Sequence, residues 1–121
     1  MILSRHADCV PYVTRDGSTI RELMHPSVHG NTGQSLAEAM IAPGQQTLLH
    51  RHRLTEEIYH VIEGDGKMTL GTRQFELHAG DTVAIPAGTY HSVFNSGTVP
   101  LVLLCACSPA YSHDDTDVAG T

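Results

Sequence analysis

Two imidazoles and a carboxylate lie within eight residues of one another in His50-Arg51-His52-Arg53-Leu54-Thr55-Glu56-Glu57. Alternate side chains of an extended strand point the same way, so His50 and His52 are expected to project from one face. Glu57 stands five residues beyond His52, an odd offset that would turn it to the opposite face of a continuous strand. A tight turn through Arg53 to Thr55 restores it. Histidine with carboxylate is a donor set for a divalent first-row transition metal, whereas calcium and magnesium take oxygen alone. A fourth donor is then expected from elsewhere in the chain.

The stretch Gly80-Asp81-Thr82-Val83-Ala84-Ile85-Pro86-Ala87-Gly88-Thr89-Tyr90-His91-Ser92-Val93-Phe94-Asn95 carries the pattern that completes the first. In these two stretches the chain resembles the cupins. The first cupin motif is a Gly, five residues, His-x-His, three or four residues, Glu, six residues and Gly, and Gly44, His50, His52, Glu57 and Gly64 match it without a departure. The second is a Gly, five residues, Pro-x-Gly, two residues, His, three residues and Asn, matched by Gly80, Pro86, Gly88, His91 and Asn95. Fifteen residues separate Gly64 from Gly80, as in the shorter cupins. The resemblance implies an all-β chain folded as a double-stranded β-helix, or jelly-roll barrel, in a single domain. It also implies that His50, His52, Glu57 and His91 bind one divalent transition metal per chain, with Mn, Fe, Ni, Co and Zn all open.

Size and charge agree with that outline. A chain of 121 residues fits one core rather than two. A net charge of −6 and no run of Lys or Arg exclude a basic surface for nucleic acid. No apolar run approaches the roughly 18 residues of a membrane span, and the start Met1-Ile2-Leu3-Ser4-Arg5-His6 lacks the long apolar segment of a signal peptide, so a cytoplasmic location is expected. Three cysteines without a secretory signal are expected to be free thiols.

The elements that must position the ligands divide the chain into an N-terminal arm with edge strands (1–34), the cupin barrel (35–108) and a C-terminal tail (109–121). In the arm, Ile20 to His25 alternates, placing Ile20, Glu22 and Met24 on one face and Arg21, Leu23 and His25 on the other. Arg21 and His25 would then look into the barrel mouth, where a guanidinium holds a substrate carboxylate, or stand on an exposed arm. Leu36 to Ala42 and Gln45 to His52 are expected to form a hairpin turning at Pro43-Gly44. In Ile58 to Ile62 an inward Glu57 carries Tyr59 and Val61 with it and turns Ile58 and Ile62 outward, beneath a second layer or another subunit. That predicts a homodimer. Short strands follow, Lys67 to Leu70, Arg73 to Leu77 and Thr82 to Ile85, punctuated by Gly turns, then Tyr90 to Asn95 and Val99 to Cys107. The acidic tail is expected to lie across the barrel or loose in solvent.

Around the metal, Tyr59 and Phe94 are expected in the core or pocket wall, and Asn95 as a hydrogen-bonded support or a ligand. Cys105 and Cys107 share a strand face in continuous apolar sequence, which favours buried, inert thiols; if that face looks inward they line the pocket. No catalytic base is legible, and His6, His25, His29, His60, His78 and His113 lack ligand spacing. Three imidazoles and one carboxylate leave two adjacent octahedral positions for water or substrate. Two classes of function follow: a metal-dependent enzyme acting on a small oxygenated metabolite, of dioxygenase, isomerase, epimerase or lyase type, or a non-catalytic module that binds or senses a sugar or acid. Cupins include both.

Overall fold

The computed structural model describes residues 1–121. Along β5 (Glu56–Glu63), Glu57, Tyr59 and Val61 are 5%, 5% and 1% exposed, while Ile58 and Ile62 are 40% and 50% exposed. This period of two marks a strand with one face on the core. The same alternation in β10 (Leu101–Ser108) buries Leu101, Leu103, Cys105 and Cys107.

Eleven strands make two antiparallel sheets that face each other as a jelly-roll barrel. The six-stranded sheet contains β1 (Tyr12–Val13), β2 (Thr19–Met24), β3 (Ser35–Ile41), β5, β8 (Thr82–Ile85) and β10, in the order β1-β2-β3-β10-β5-β8. The five-stranded sheet contains β4 (His50–His52), β6 (Asp65–Leu70), β7 (Arg73–His78), β9 (His91–Asn95) and β11 (Thr116–Val118), in the order β11-β4-β9-β6-β7. One helical turn, α1 (Pro26–His29), links β2 to β3. Between the sheets Ile41, Val61, Met68, Leu77, Ile85, Val93, Leu101 and Leu103 form the apolar end of the barrel. The motif glycine Gly64 has a steric reason: its φ is +89°, and a Cβ there would stand 2.7 Å from the Pro100 carbonyl oxygen.

One expectation is corrected. β3 and β4 are not a hairpin: Pro43-Gly44 carries the chain from one sheet to the other, and residues 44–47 run along β9, with Gly44 donating to the Asn95 carbonyl and Thr47 to that of Val93. Of the two placements expected for the C-terminal segment, it lies against the barrel: β11 pairs with β4 and places Thr116 opposite His52. The strands of the first 34 residues extend the six-stranded sheet beyond β3, leaving Ile58 and Ile62 exposed.

Candidate metal centre

His50 and His52 stand on the inner face of β4, 3% and 4% exposed, and His91 faces His50 across the β4–β9 pairing, fully buried. One nitrogen from each ring lies within 4.8 Å of the other two. Glu57 joins them from the opposite sheet, with Oε1 3.1 Å from His52 Nε2 and 3.4 Å from His91 Nε2. The odd offset between His52 and Glu57 is resolved in the turn. Asp115, from the C-terminal segment, accepts the backbone N–H groups of Leu54 and Thr55 at 2.9 and 3.1 Å, and its own carbonyl accepts Arg53 N–H. These bonds satisfy the buried amides of a bend that reverses the facing of the chain.

The outer nitrogens fix the tautomers. His50 Nδ1 faces the Leu48 carbonyl at 2.7 Å and His91 Nδ1 that of Thr89 at 2.9 Å; a carbonyl only accepts, so both Nδ1 atoms carry hydrogen. Thr116 donates its hydroxyl to the Ser112 carbonyl, leaving its oxygen to accept from His52 Nδ1 at 3.0 Å. Each neutral ring therefore presents an Nε2 lone pair to the centre, beside a carboxylate. His91 Nε2 is buried with no hydrogen-bond partner. Protonating His50 is a costly way to bring positive charge here, since burial, and then His91, lower its pKa. Burial pushes the Glu57 carboxyl up, but the His52 and His91 rings beside it, at 3.1 and 3.4 Å, outweigh burial and hold the group at about 2. A divalent cation supplies at one point the positive charge that these donors share, so the set fits a transition metal.

Other candidates are sorted by the narrow cavity, about 40 Å³, that opens beside this centre. Tyr59, Cys105 and Cys107 line it. Burial raises the pKa of both thiols and of the Tyr59 phenol, so all three stay protonated, and the Cys107 thiol donates to Glu57 Oε2 across 3.3 Å. Asn95 is no ligand: its amide donates to the Ile41 and Val99 carbonyls and accepts Gly97 N–H, fixing the β9–β10 turn. Arg21 does not reach the mouth. β2 gives the cavity Ile20 and Glu22, while Arg21 pairs with Glu38 at 3.3 Å on the other face. His25 also stays outside, its Nδ1 accepting Ser27 N–H at the start of α1 and its Nε2 bonded to the Tyr111 carbonyl. Phe94 is not wall but surface, 36% exposed.

Sequence reasoning missed the contributions of both chain ends. Tyr12, Asp16 and Glu22 enter the cavity from the first two strands and their turn, and Tyr111 and Thr116 from the C-terminal segment. The alternation of Ile20 and Glu22 and the Asp16-Gly17 turn were visible signals of a hairpin, but nothing local tells which way it folds.

A family model described as "Cupin domain" matches residues 37–107. An uncharacterized protein of Methanocaldococcus jannaschii is 52% identical over 108 residues, covering 89% of this chain and 86% of that one. The tetracenomycin polyketide synthase protein TcmJ of Streptomyces glaucescens is 27% identical over 108 residues, covering 85% of this chain and 72% of its own length. Among solved structures, the oxalate decarboxylase of Lactobacillus farciminis in its formate complex superposes with a TM-score of 0.81 at 26% identity, over 93% of this chain and 34% of that one. The chain thus spans about a third of the decarboxylase. No helix is long and apolar enough to cross a membrane. The family match over more than half of the residues, with both motifs met in one buried cluster, makes this chain a member of the cupin family.

Proposed function

We propose that the protein is a metal-dependent enzyme for a small oxygenated metabolite, working at a centre formed by His50, His52, His91 and Glu57. The observation that carries this reading is the convergence of three Nε2 lone pairs and a carboxylate on one buried point at the edge of a cavity. A divalent ion bound there supplies Lewis acidity and, if redox-active, electron transfer. The chain's own residues orient and select. Thr116, Leu48 and Thr89 hold the three rings in one tautomer, and the Cys107 thiol holds Glu57 by its second oxygen. The apolar residues beneath, Ile41, Val93 and Leu103, exclude water from the inner end of the cavity.

The charge of the lining bears on the substrate. Asp16, Glu22 and Glu57 line the cavity and no Lys or Arg does, so an acidic substrate would find its only positive partner in the metal. Glu22 Oε1 accepts the Tyr12 hydroxyl at 2.7 Å, while its Oε2 is buried without a partner and is free to accept a substrate hydroxyl. This favours a hydroxylated, uncharged compound such as an enol or sugar derivative over a dianion. The similarity to a protein named for polyketide synthesis and to an oxalate decarboxylase supports oxygen-rich substrates in general. Isomerase, lyase and dioxygenase chemistry are separated by one experiment. Metal-loaded protein is incubated with a panel of hydroxylated ketones, enols and sugars under air and under nitrogen. Turnover in both atmospheres identifies an isomerase or lyase, and turnover in air alone a dioxygenase. Binding of panel compounds without turnover in either supports the alternative of a binding or sensing module. We further place the protein in the cytoplasm as a homodimer joined through the exposed face that carries Ile58 and Ile62.

A further inference from the structure

A second carboxylate approaches the histidine cluster from outside both motifs. Asp16 lies in the turn between β1 and β2, where its side chain is 12% exposed and its Oδ2 stands 3.5 Å from His50 Nε2. His50 Nδ1 already donates to Leu48, so Oδ2 faces the Nε2 lone pair. Two lone pairs held together in a buried place repel each other unless a cation lies between them. Glu57 sits beside His52 and His91; Asp16 sits beside His50, so the two carboxylates approach from different sides.

Asp16 is also held in place with unusual completeness for a turn residue. Its Oδ1 accepts both the backbone N–H and the hydroxyl of buried Ser18, at 2.9 and 2.6 Å. Its carbonyl accepts Leu48 N–H at 2.7 Å, which ties the turn to the strand that carries His50. The neighbouring Arg15 donates to the carbonyls of His113 and Thr116, at 3.0 and 3.1 Å, locking the turn against the C-terminal segment. No Lys or Arg pairs with the carboxylate. One oxygen is thus spent on anchoring and the other faces His50 Nε2. Donors on adjacent positions of one octahedral ion, with bonds of about 2.1 Å, lie about 3 Å apart, close to the 3.5 Å seen here.

We infer that Asp16 is a fifth protein ligand, so that this centre is a three-histidine, two-carboxylate site with a single position left for substrate. The inference rests on the metal centre proposed above. A substrate that binds through one oxygen fits this site directly, whereas a chelating one must first displace Asp16.

Mn²⁺ is the probe. Its affinity is measured by titration on wild-type protein, Asp16→Asn, Asp16→Ala and, as a reference, His60→Ala, together with the water-proton relaxation of each Mn²⁺-loaded sample. Asn keeps the Ser18 bonds through its carbonyl oxygen, so the metal-free melting temperature is expected to match wild type. Affinity is expected to fall at least about tenfold in both Asp16 variants. Relaxation enhancement per bound Mn²⁺ is expected to rise, because solvent takes the vacated position. A fall in affinity with unchanged relaxation would make Asp16 a positioning residue and overturn its role as ligand; so would unchanged affinity. If wild-type protein binds no Mn²⁺, Fe²⁺, Co²⁺, Ni²⁺ or Zn²⁺, the metal centre itself fails, and the assignment of Asp16 falls with it.

Discussion

All three imidazoles of the centre come from the five-stranded sheet, whereas the carboxylate that meets them, Glu57, comes from the six-stranded one. Glu22, which lines the same cavity, comes from the six-stranded sheet too. The two sheets are unlike in chemistry as well as in strand number, and a cation bound between them ties one to the other. At the opposite end of the barrel apolar packing alone does this, through residues such as Met68, Leu77 and Leu101. With a metal bound as proposed, one end of the sandwich would depend on the composition of the solution and the other would not.

The strongest way to break that contrast is to remove an imidazole. His52→Ala and His91→Ala are expected to reduce metal content to background by elemental analysis, whereas His60→Ala and His78→Ala keep it, since those rings bond Thr82 and Asp65 away from the cavity. Equal losses in all four would contradict the assignment. Chelation of wild-type protein is expected to lower its melting temperature, as expected for a ligand that binds only the folded state.

Acid acts on the same end. The folded pKa of His50 is lowered, so below its ordinary value of 6.5 the unfolded chain binds a proton that the folded chain resists, and stability falls with pH. Glu57, held at about 2 against an ordinary 4.5, stabilises the fold above 4.5 and loses that contribution as pH falls toward 2. Metal must also displace protons from three imidazoles. Melting temperatures with and without chelator are therefore expected to separate above about pH 6.5 and to converge at lower pH. A constant separation down to pH 4.5 would argue against imidazole ligands.

Smaller effects test the supports. Thr116→Val removes the acceptor that fixes His52 and is expected to weaken metal binding by about 10-fold without abolishing it. Arg21→Ala, on the outer face, is expected to leave metal affinity unchanged. Ile58 and Ile62 are 40% and 50% exposed, so burying the remainder at a dimer contact would stabilise it by roughly 1 kcal/mol each. Light scattering is expected to give twice the 13.1 kDa chain mass for wild type and a shift toward the chain mass for a variant with both changed to Ser. A wild-type monomer would refute the dimer.

These regions were not equally legible in the sequence. His50, His52 and Glu57 stand close enough in sequence to suggest a donor set, whereas Gly44 and His91 are legible only through the resemblance to the two cupin motifs, and the inward face of β5 follows once Glu57 is taken to point to the metal. The parity of Ile20 to Met24 was readable too, but an isolated alternation does not say which face meets the core; that is decided by pairing with β3, which puts Arg21, expected at the mouth or on an exposed arm, on the outer face beside Glu38. The supposed hairpin of β3 and β4 failed for a related reason, since the true neighbour of residues 44–47 is β9, about 47 residues away. Asp115 and Thr116 act across more than 60 residues of sequence, and an acidic stretch that looks like solvated tail gives no sign of it.

The position of β11 also bears on when the centre can mature. During synthesis this strand leaves the ribosome after the ten others, yet it carries the hydroxyl that sets the His52 ring and follows directly on the carboxylate that folds the turn before Glu57. A nascent chain released only as far as β10 displays both motifs with neither of these restraints. Such a chain would hold metal loosely and exchange it freely. Selection of an ion by this centre would thereby wait until β11 has paired with β4.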